Sequence, residues 1–145
     1  MPLTTFLATA TTCHVAPGSE VLSARGVLQI RGRVFTDVIE STEPRVAGTN
    51  KPTLDLDFDP LQGQGEVRGT FTLSPTQPDG VWEGELSGSL ESGMVRATGL
   101  ARGAGRLSGA VMHVEFRQME SHPAAPPCAD PKAFFAMTGT ILTAG

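Results

Sequence analysis

Tyrosine is absent from this 145-residue chain, tryptophan occurs once, and cysteine occurs twice, at Cys13 and Cys128. Neither cysteine stands in a CxxC or other ligand spacing, which argues against a metal site. The chain also lacks the GxGxxG, P-loop, GxSxG and HExxH motifs, and this excludes the common signatures of nucleotide-binding proteins, hydrolases and metalloproteases. We therefore expect neither a metal nor a cofactor.

Charge and long apolar runs are scarce as well. The net charge is −4, and the arginines are scattered singly among acidic and apolar residues, which argues against nucleic-acid binding. No segment approaches the roughly 18 apolar residues of a membrane span, so we expect no membrane association. The amino terminus lacks the basic start and apolar run of a signal peptide, which predicts a cytoplasmic protein with reduced thiols. Whether Cys13 and Cys128 meet is left open by the sequence.

Glycine and proline, by contrast, are abundant, with 17 and 11 residues. This composition suits short strands joined by many turns. Only Asp130–Phe135 has a helical pattern, over a short stretch, whereas elsewhere apolar and polar residues alternate as in half-buried strands. In Gly26–Ile39 the predicted buried face consists of Leu28, Ile30, Gly32, Val34 and Val38, and the solvated face of Gln29, Arg31, Arg33 and Asp37.

After a polar loop predicted at Glu40–Pro52, strands recur to the end of the chain, with the clearest turns at Pro75–Gly80 and Glu91–Gly93. The remaining predicted strands are Leu54–Asp59, Val67–Leu73, Val81–Leu90, Met94–Ala101, Leu107–Phe116 and Phe134–Leu142. The aspartates of the first of these alternate along an extended strand, which favours an outward acidic row over a calcium loop. We predict one all-β domain over residues 1–145, an antiparallel closed barrel of about eight strands, with a β-sandwich as the alternative.

Two glycine-rich repeats favour the barrel over the sandwich. Gly63–Phe71 and Gly103–Val111 share the pattern glycine, x, glycine, x, apolar, x, glycine, x, apolar. Glycine weakens a strand, so its presence at alternate positions indicates sharp bending or close approach of neighbouring backbones. A small closed barrel needs both, and we interpret the repeats as two equivalent corners of one barrel.

The second repeat also carries a resemblance. Thr98–Val111, followed by His113-Val-Glu-Phe116, resembles the late hairpin of allene oxide cyclase and dirigent-like proteins, in which a glycine-rich turn opens a barrel strand. The resemblance implies an eight-stranded antiparallel barrel with a central apolar cavity, binding or cyclisation of small molecules, and a homo-oligomer. The tyrosine-containing sites of the plant cyclases have no counterpart here, so no catalytic residue carries over.

One candidate catalytic pair follows from the strand pattern itself. His113 and Glu115 point to the same side of a predicted strand, about 6.5–7 Å apart. If that side lines the cavity, a carboxylate and an imidazole in apolar surroundings are a candidate acid/base pair. The alternative places the pair in solvent and turns the opposite face inward, namely Ala110, Met112, Val114 and Phe116.

Large apolar side chains form a second candidate set. Trp82 shares its predicted face with glycines, as expected of a core anchor or of an aromatic wall against which a ligand packs. The same two interpretations, core residue or ligand-contacting wall, apply to the other members of the candidate ligand-binding set, Phe71, Met112, Phe135 and Met137.

Three functions remain open on this evidence. The first is a barrel that binds a small apolar or amphipathic molecule. The second is a cyclase or isomerase acting on a hydrophobic substrate in the same cavity, since a shaped cavity can accelerate such reactions through positioning alone. The third is a structural or oligomerising module with a solid core.

Overall fold

The structure of the protein is a computed structural model that describes residues 2–77 and 79–143, so Pro78 of the predicted turn Pro75–Gly80 lies outside the described residues. The described residues form nine strands and no helix. The strands are β1 Leu3–Ala16, β2 Ser19–Leu22, β3 Leu28–Ser41, β4 Gly48–Asp59, β5 Gln64–Pro75, β6 Gly80–Glu91, β7 Met94–Gly105, β8 Val111–Met119 and β9 Ala133–Leu142.

Eight of these strands close into an antiparallel barrel. From β3 to β9 each strand pairs with the next in the chain, and β1 pairs with both β9 and β3, which joins the two edges of the sheet. The short β2 follows β1 closely in the chain and pairs with the first residues of β3 outside the closed ring. The prediction of an all-β closed barrel of about eight strands is confirmed, and the sandwich alternative is wrong.

Glycines allow neighbouring strands of the barrel to approach closely. Gly69 of β5 and Gly88 of β6 lie against the backbones of β4 and β7, where a Cβ would collide with the carbonyl oxygens of Thr53 and Arg96. The two repeats are nevertheless not equivalent corners, as the sequence had suggested. The first leads from a turn into β5, whereas the second runs from the end of β7 through the β7–β8 turn.

A bulge in β3 reverses part of the predicted facing. Gly32 has a φ of 66°, and the β3–β4 register shifts between Ile30 and Arg33. An extra residue at a bulge moves the following side chains to the other face of the strand. Arg33 and Asp37, predicted on the solvated face, therefore line the barrel interior instead.

Other boundaries also differ from the sequence prediction. The predicted loop Glu40–Pro52 shortens to residues 42–47, because β3 runs to Ser41 and β4 starts at Gly48. Pro52 fits inside β4 because the β3–β4 ladder is interrupted there and its missing N–H breaks no bond to β3. Asp130–Phe135 is not helical: it contains irregular chain and the start of β9.

One end of the barrel is filled by side chains. Val46 from the β3–β4 loop and Leu107 and Ala110 from the β7–β8 turn are buried there in the core. Trp82 is fully buried, and its indole Nε1 donates a hydrogen bond of 2.8 Å to the carbonyl oxygen of Arg45, which holds the loop in place. We call this the packed end.

A disulfide lies toward the opposite end. Cys13, at a bulge of β1, is bonded to Cys128 in the irregular segment between β8 and β9, with Cα atoms 6.1 Å apart. The backbone N–H of Lys132 donates to the carbonyl of Thr12 at 2.8 Å and holds the same segment against β1. The expectation of two reduced thiols is wrong for this structure.

Candidate ligand-binding cavity

The barrel interior is hollow at the end away from the packed core. A cavity of about 410 Å³ lies there, within the range of small-molecule sites in proteins. Its wall is predominantly apolar, formed by Val15, Leu28, Ile30, Phe35, Pro52, Leu54, Leu56, Phe58, Leu86, Leu90, Val95, Ala97, Phe116, Ala133 and Phe135.

A row of polar side chains crosses the inner part of the cavity. Thr12 of β1 is the register partner of Asp37 of β3, and Asp37 is the partner of Asn50 of β4. All three residues line the cavity and are buried. Side chains of directly opposed residues on one face lie about 4.5–5.5 Å apart at Cβ, so the three form one continuous polar strip. We call it the polar row.

The polar row runs obliquely toward the packed end. In the register of the barrel it continues from Asn50 to Leu73 of β5 and then to Trp82 of β6. Both of these residues are fully buried in the packed core. Asn50 is therefore the member of the polar row that borders the packed core.

Asp37 carries the least solvated carboxylate of the cavity wall. Burial raises the pKa of Asp37 from its ordinary 3.8 to about 6, and a hydrogen bond from Thr12 partly offsets this rise. The Thr12 hydroxyl Oγ1 donates to Asp37 Oδ1 at 2.7 Å. A carboxyl group with a pKa of about 6 has both protonation states available near neutral pH, as general acid–base chemistry requires.

Asn50 is the residue that most clearly requires a partner. Its side chain is fully buried, and neither Oδ1 nor Nδ2 has a hydrogen-bond partner in the described part of the chain. A buried polar group without a partner costs about 1–3 kcal/mol, and native proteins keep few of them. One donor group, Nδ2, and one acceptor, Oδ1, therefore remain unpaired on this buried side chain in the described part of the chain.

Two cations stand farther out along the cavity wall, and each already has an anionic partner. Arg33 pairs with Glu20 of β2 and donates from Nε to the carbonyl of Pro17 at 3.1 Å. Lys132 pairs with Asp130 in the segment before β9. Because these charges are compensated, the cavity does not present a strong site for an anion.

The predicted acid/base pair does not face the cavity. His113 and Glu115 are both exposed on the outside of β8, while Met112, Val114 and Phe116 of the same strand are buried. Of the two orientations that the sequence allows, the structure has the one with His113 and Glu115 in solvent, because no bulge interrupts β8 and the more apolar face turns inward.

The predicted ligand-binding set divides between cavity and core. Phe135 lines the cavity. Trp82, Met112 and Met137 are almost completely buried and are not part of the cavity wall. Phe71 is buried beneath the wall and packs edge-on against Phe116, with ring centroids 5.9 Å apart. These four side chains therefore have the environment of core residues.

Sequence reasoning missed all three members of the polar row. Thr12 lies in β1, which was not predicted, and Asn50 was assigned to a loop. Asp37 was placed on the solvated face because the bulge at Gly32 was not recognised. The usable signal was Gly32 itself, since a glycine inside an alternating strand often marks a bulge.

The aspartates of β4 face outward, as predicted. Asp57 accepts hydrogen bonds from Arg31 at 2.8 Å and Arg68 at 3.2 Å, and these guanidinium groups lower its pKa. Among residues 2–77 and 79–143, no three His, Cys, Asp or Glu side chains are grouped as a metal site would require. That part of the chain also contains no helix long and apolar enough to cross a membrane.

Comparison with known proteins adds no relative. The chain matches no family model, no curated protein and no solved structure. The resemblance of the β7–β8 hairpin to allene oxide cyclase and dirigent-like proteins stays a prediction from the sequence.

Proposed function

We propose that this protein binds a small, mainly apolar molecule in the hollow end of its barrel. The observation that carries the proposal is the combination of an apolar cavity of about 410 Å³ with a fully buried, unpaired Asn50 on its wall. Burial of apolar surface supplies the affinity in such a site, at about 25 cal/mol per Å². The polar row orients one end of the molecule.

A cavity-filling variant tests the proposal. Leu54→Trp replaces a leucine of the cavity wall with a bulky indole ring, whereas Leu100→Trp makes the same change on the exposed outer face of β7. We expect the unmodified protein to bind one equivalent of a neutral solvatochromic dye such as Nile red. Leu54→Trp should weaken dye binding about tenfold or more, because the indole ring reduces the cavity volume and the apolar area that the dye can bury. Leu100→Trp should leave dye binding unchanged.

Native mass spectrometry of gently purified protein provides the second readout. A stoichiometric small molecule that is present with the unmodified protein and lost in Leu54→Trp supports the proposal. If the unmodified protein gives no saturable dye binding, or if both variants bind the dye as it does, the proposal of a ligand-binding cavity is wrong.

A second candidate function is isomerisation of a hydrophobic ketone, and the position of Asp37 favours it. In this reaction the substrate is a β,γ-unsaturated ketone: the Asp37 carboxylate takes a proton from the α-carbon, the electron pair of the broken C–H bond forms a dienolate, and Asn50 Nδ2 donates to its oxygen. Return of the proton to another carbon completes a shift of the double bond with no external reductant or oxidant. Such a base works best when its pKa lies near the working pH, and that of Asp37 is about 6.

Hydrogen exchange at a bound ketone separates this second function from simple binding. We expect the protein to accelerate exchange of the α-protons of an apolar ketone in D₂O, followed by NMR. Asp37→Asn should remove the acceleration, and Asp57→Asn, on the outside of β4, should retain it. Binding of the ketone without faster exchange would contradict the isomerase and leave the binding function intact.

A further inference from the structure

The polar row has a donor and acceptor pattern that restricts the chemical class of the ligand. Asn50 offers one unpaired acceptor, Oδ1, and one unpaired donor group, Nδ2. Asp37 uses Oδ1 to accept from Thr12, and no hydrogen bond engages its Oδ2 in the described part of the chain. Asp37 and Asn50 are direct register partners, and both residues line the cavity.

We propose that the Asp37–Asn50 part of the polar row is a head-group subsite for a primary carboxamide on an otherwise apolar molecule. The proposal rests on the binding function proposed above. A carboxamide carbonyl accepts from Asn50 Nδ2, and its N–H groups donate to Asn50 Oδ1 and Asp37 Oδ2. This arrangement pairs the free polar atoms of both side chains, whereas a ketone or an ether leaves Asn50 Oδ1 and Asp37 Oδ2 unpaired.

A carboxylate head group fits the same place poorly. It would bring a second negative charge against the Asp37 carboxylate in a site of low dielectric, where like charges repel strongly. The cations of the cavity wall do not compensate it, because Arg33 is paired with Glu20 and Lys132 with Asp130. The subsite therefore discriminates between an amide and the acid with the same chain.

A matched ligand series tests the subsite in the unmodified protein. Octanamide, octanoate and octane differ only at the head group, and each is measured by displacement of Nile red. At pH 7.5 we expect octanamide to bind about 10- to 100-fold more tightly than octanoate, since an unpaired or repelled buried group forfeits a factor of this size. Equal affinity of octanamide and octanoate would overturn the inference.

Two variants locate the discrimination. Asn50→Leu should retain dye binding and lose the advantage of octanamide over octane, whereas Gln64→Leu, which removes an amide on the exposed face of β5, should keep it. Asp37→Asn should raise the affinity for octanoate about tenfold by removing the repelling charge. An unchanged preference in Asn50→Leu would contradict the assignment.

Failure of the subsite and failure of the binding function give different results. If Nile red binds but the head group makes no difference, the cavity binds apolar molecules without a carboxamide subsite. If neither Nile red nor any member of the series binds the unmodified protein, the proposed function itself is wrong, and the subsite falls with it.

Discussion

Asp37 shows how one side chain acquires a chemical role from its surroundings. In the unfolded chain it is an ordinary aspartate, and in the barrel it lies between Thr12 and Asn50 on a largely apolar wall. Removal of water disfavours the charged form and raises its pKa to about 6, while the Thr12 hydroxyl opposes the rise. Burial outweighs a single hydrogen bond in this balance.

This shifted pKa predicts an unusual dependence of stability on pH. Because the pKa of Asp37 is higher in the folded protein than in the unfolded chain, the contribution of this group to stability is complete below about pH 4. It is lost as the pH rises through about 6. The difference between pH 4 and pH 8 amounts to about 3 kcal/mol, at 1.36 kcal/mol per pKa unit.

Asp37→Asn tests the charge of this side chain because asparagine keeps the shape but does not ionise. We expect its free energy of unfolding at pH 7.5 to exceed that of the unmodified protein by about 1–3 kcal/mol, and its stability to vary less between pH 5 and 7. Urea denaturation at several pH values gives both quantities. Glu66→Gln, on the exposed face of β5, is the control, and a variant of Asp37 that follows the unmodified pH profile would contradict the argument.

At the scale of the strand, the bulge in β3 determines which side chains of that strand face the cavity. Period-two alternation predicts which residues of a regular strand share a face, and it placed Leu54 and Leu56 of β4 inside correctly. In β3 the same rule holds before Gly32 and inverts after it. A bulge turns every later side chain of the strand to the opposite face. The bulge at Gly32 therefore places Arg33 and Asp37 in the cavity, whereas regular alternation predicts them in solvent.

β1 and β4 illustrate a different limit of strand prediction from the sequence pattern. β1 combines threonine and alanine with few large apolar residues, so its alternation is weak, although Ala8 and Ala10 are buried. Asn50 and Pro52 are residues typical of loops, yet they lie inside β4, where both pair with residues of β5.

At the scale of the whole molecule, the disulfide joins residues 115 positions apart. A crosslink of this span removes conformational freedom mainly from the unfolded chain, which typically contributes 2–4 kcal/mol. Disulfides persist mainly in oxidising compartments, and the cytoplasmic location predicted from the sequence stays a prediction.

Removal of the disulfide should lower the free energy of unfolding by a measurable amount. The double variant Cys13→Ser with Cys128→Ser should lose about 2–4 kcal/mol in its free energy of unfolding by urea denaturation. Treatment of the unmodified protein with a reducing agent should produce the same loss, whereas the double variant should not respond to it. Equal stability of the oxidised and reduced proteins would show that the bond does not stabilise the fold.

The homo-oligomer implied by the family resemblance remains a prediction. Analytical ultracentrifugation of the unmodified protein measures the assembly state directly, and the result is independent of the cavity proposals.

The sequence by itself determined the class of the fold. Alternating strands, abundant glycine and short turns predicted a closed antiparallel barrel, because period-two patterns and turn residues are local properties of the chain. Only the tertiary structure decided which end is hollow and which side chains line it. Barrel closure pairs Thr12 of β1 with Asp37 of β3, the neighbouring β3–β4 pairing adds Asn50, and the bulge at Gly32 turns Asp37 into the cavity.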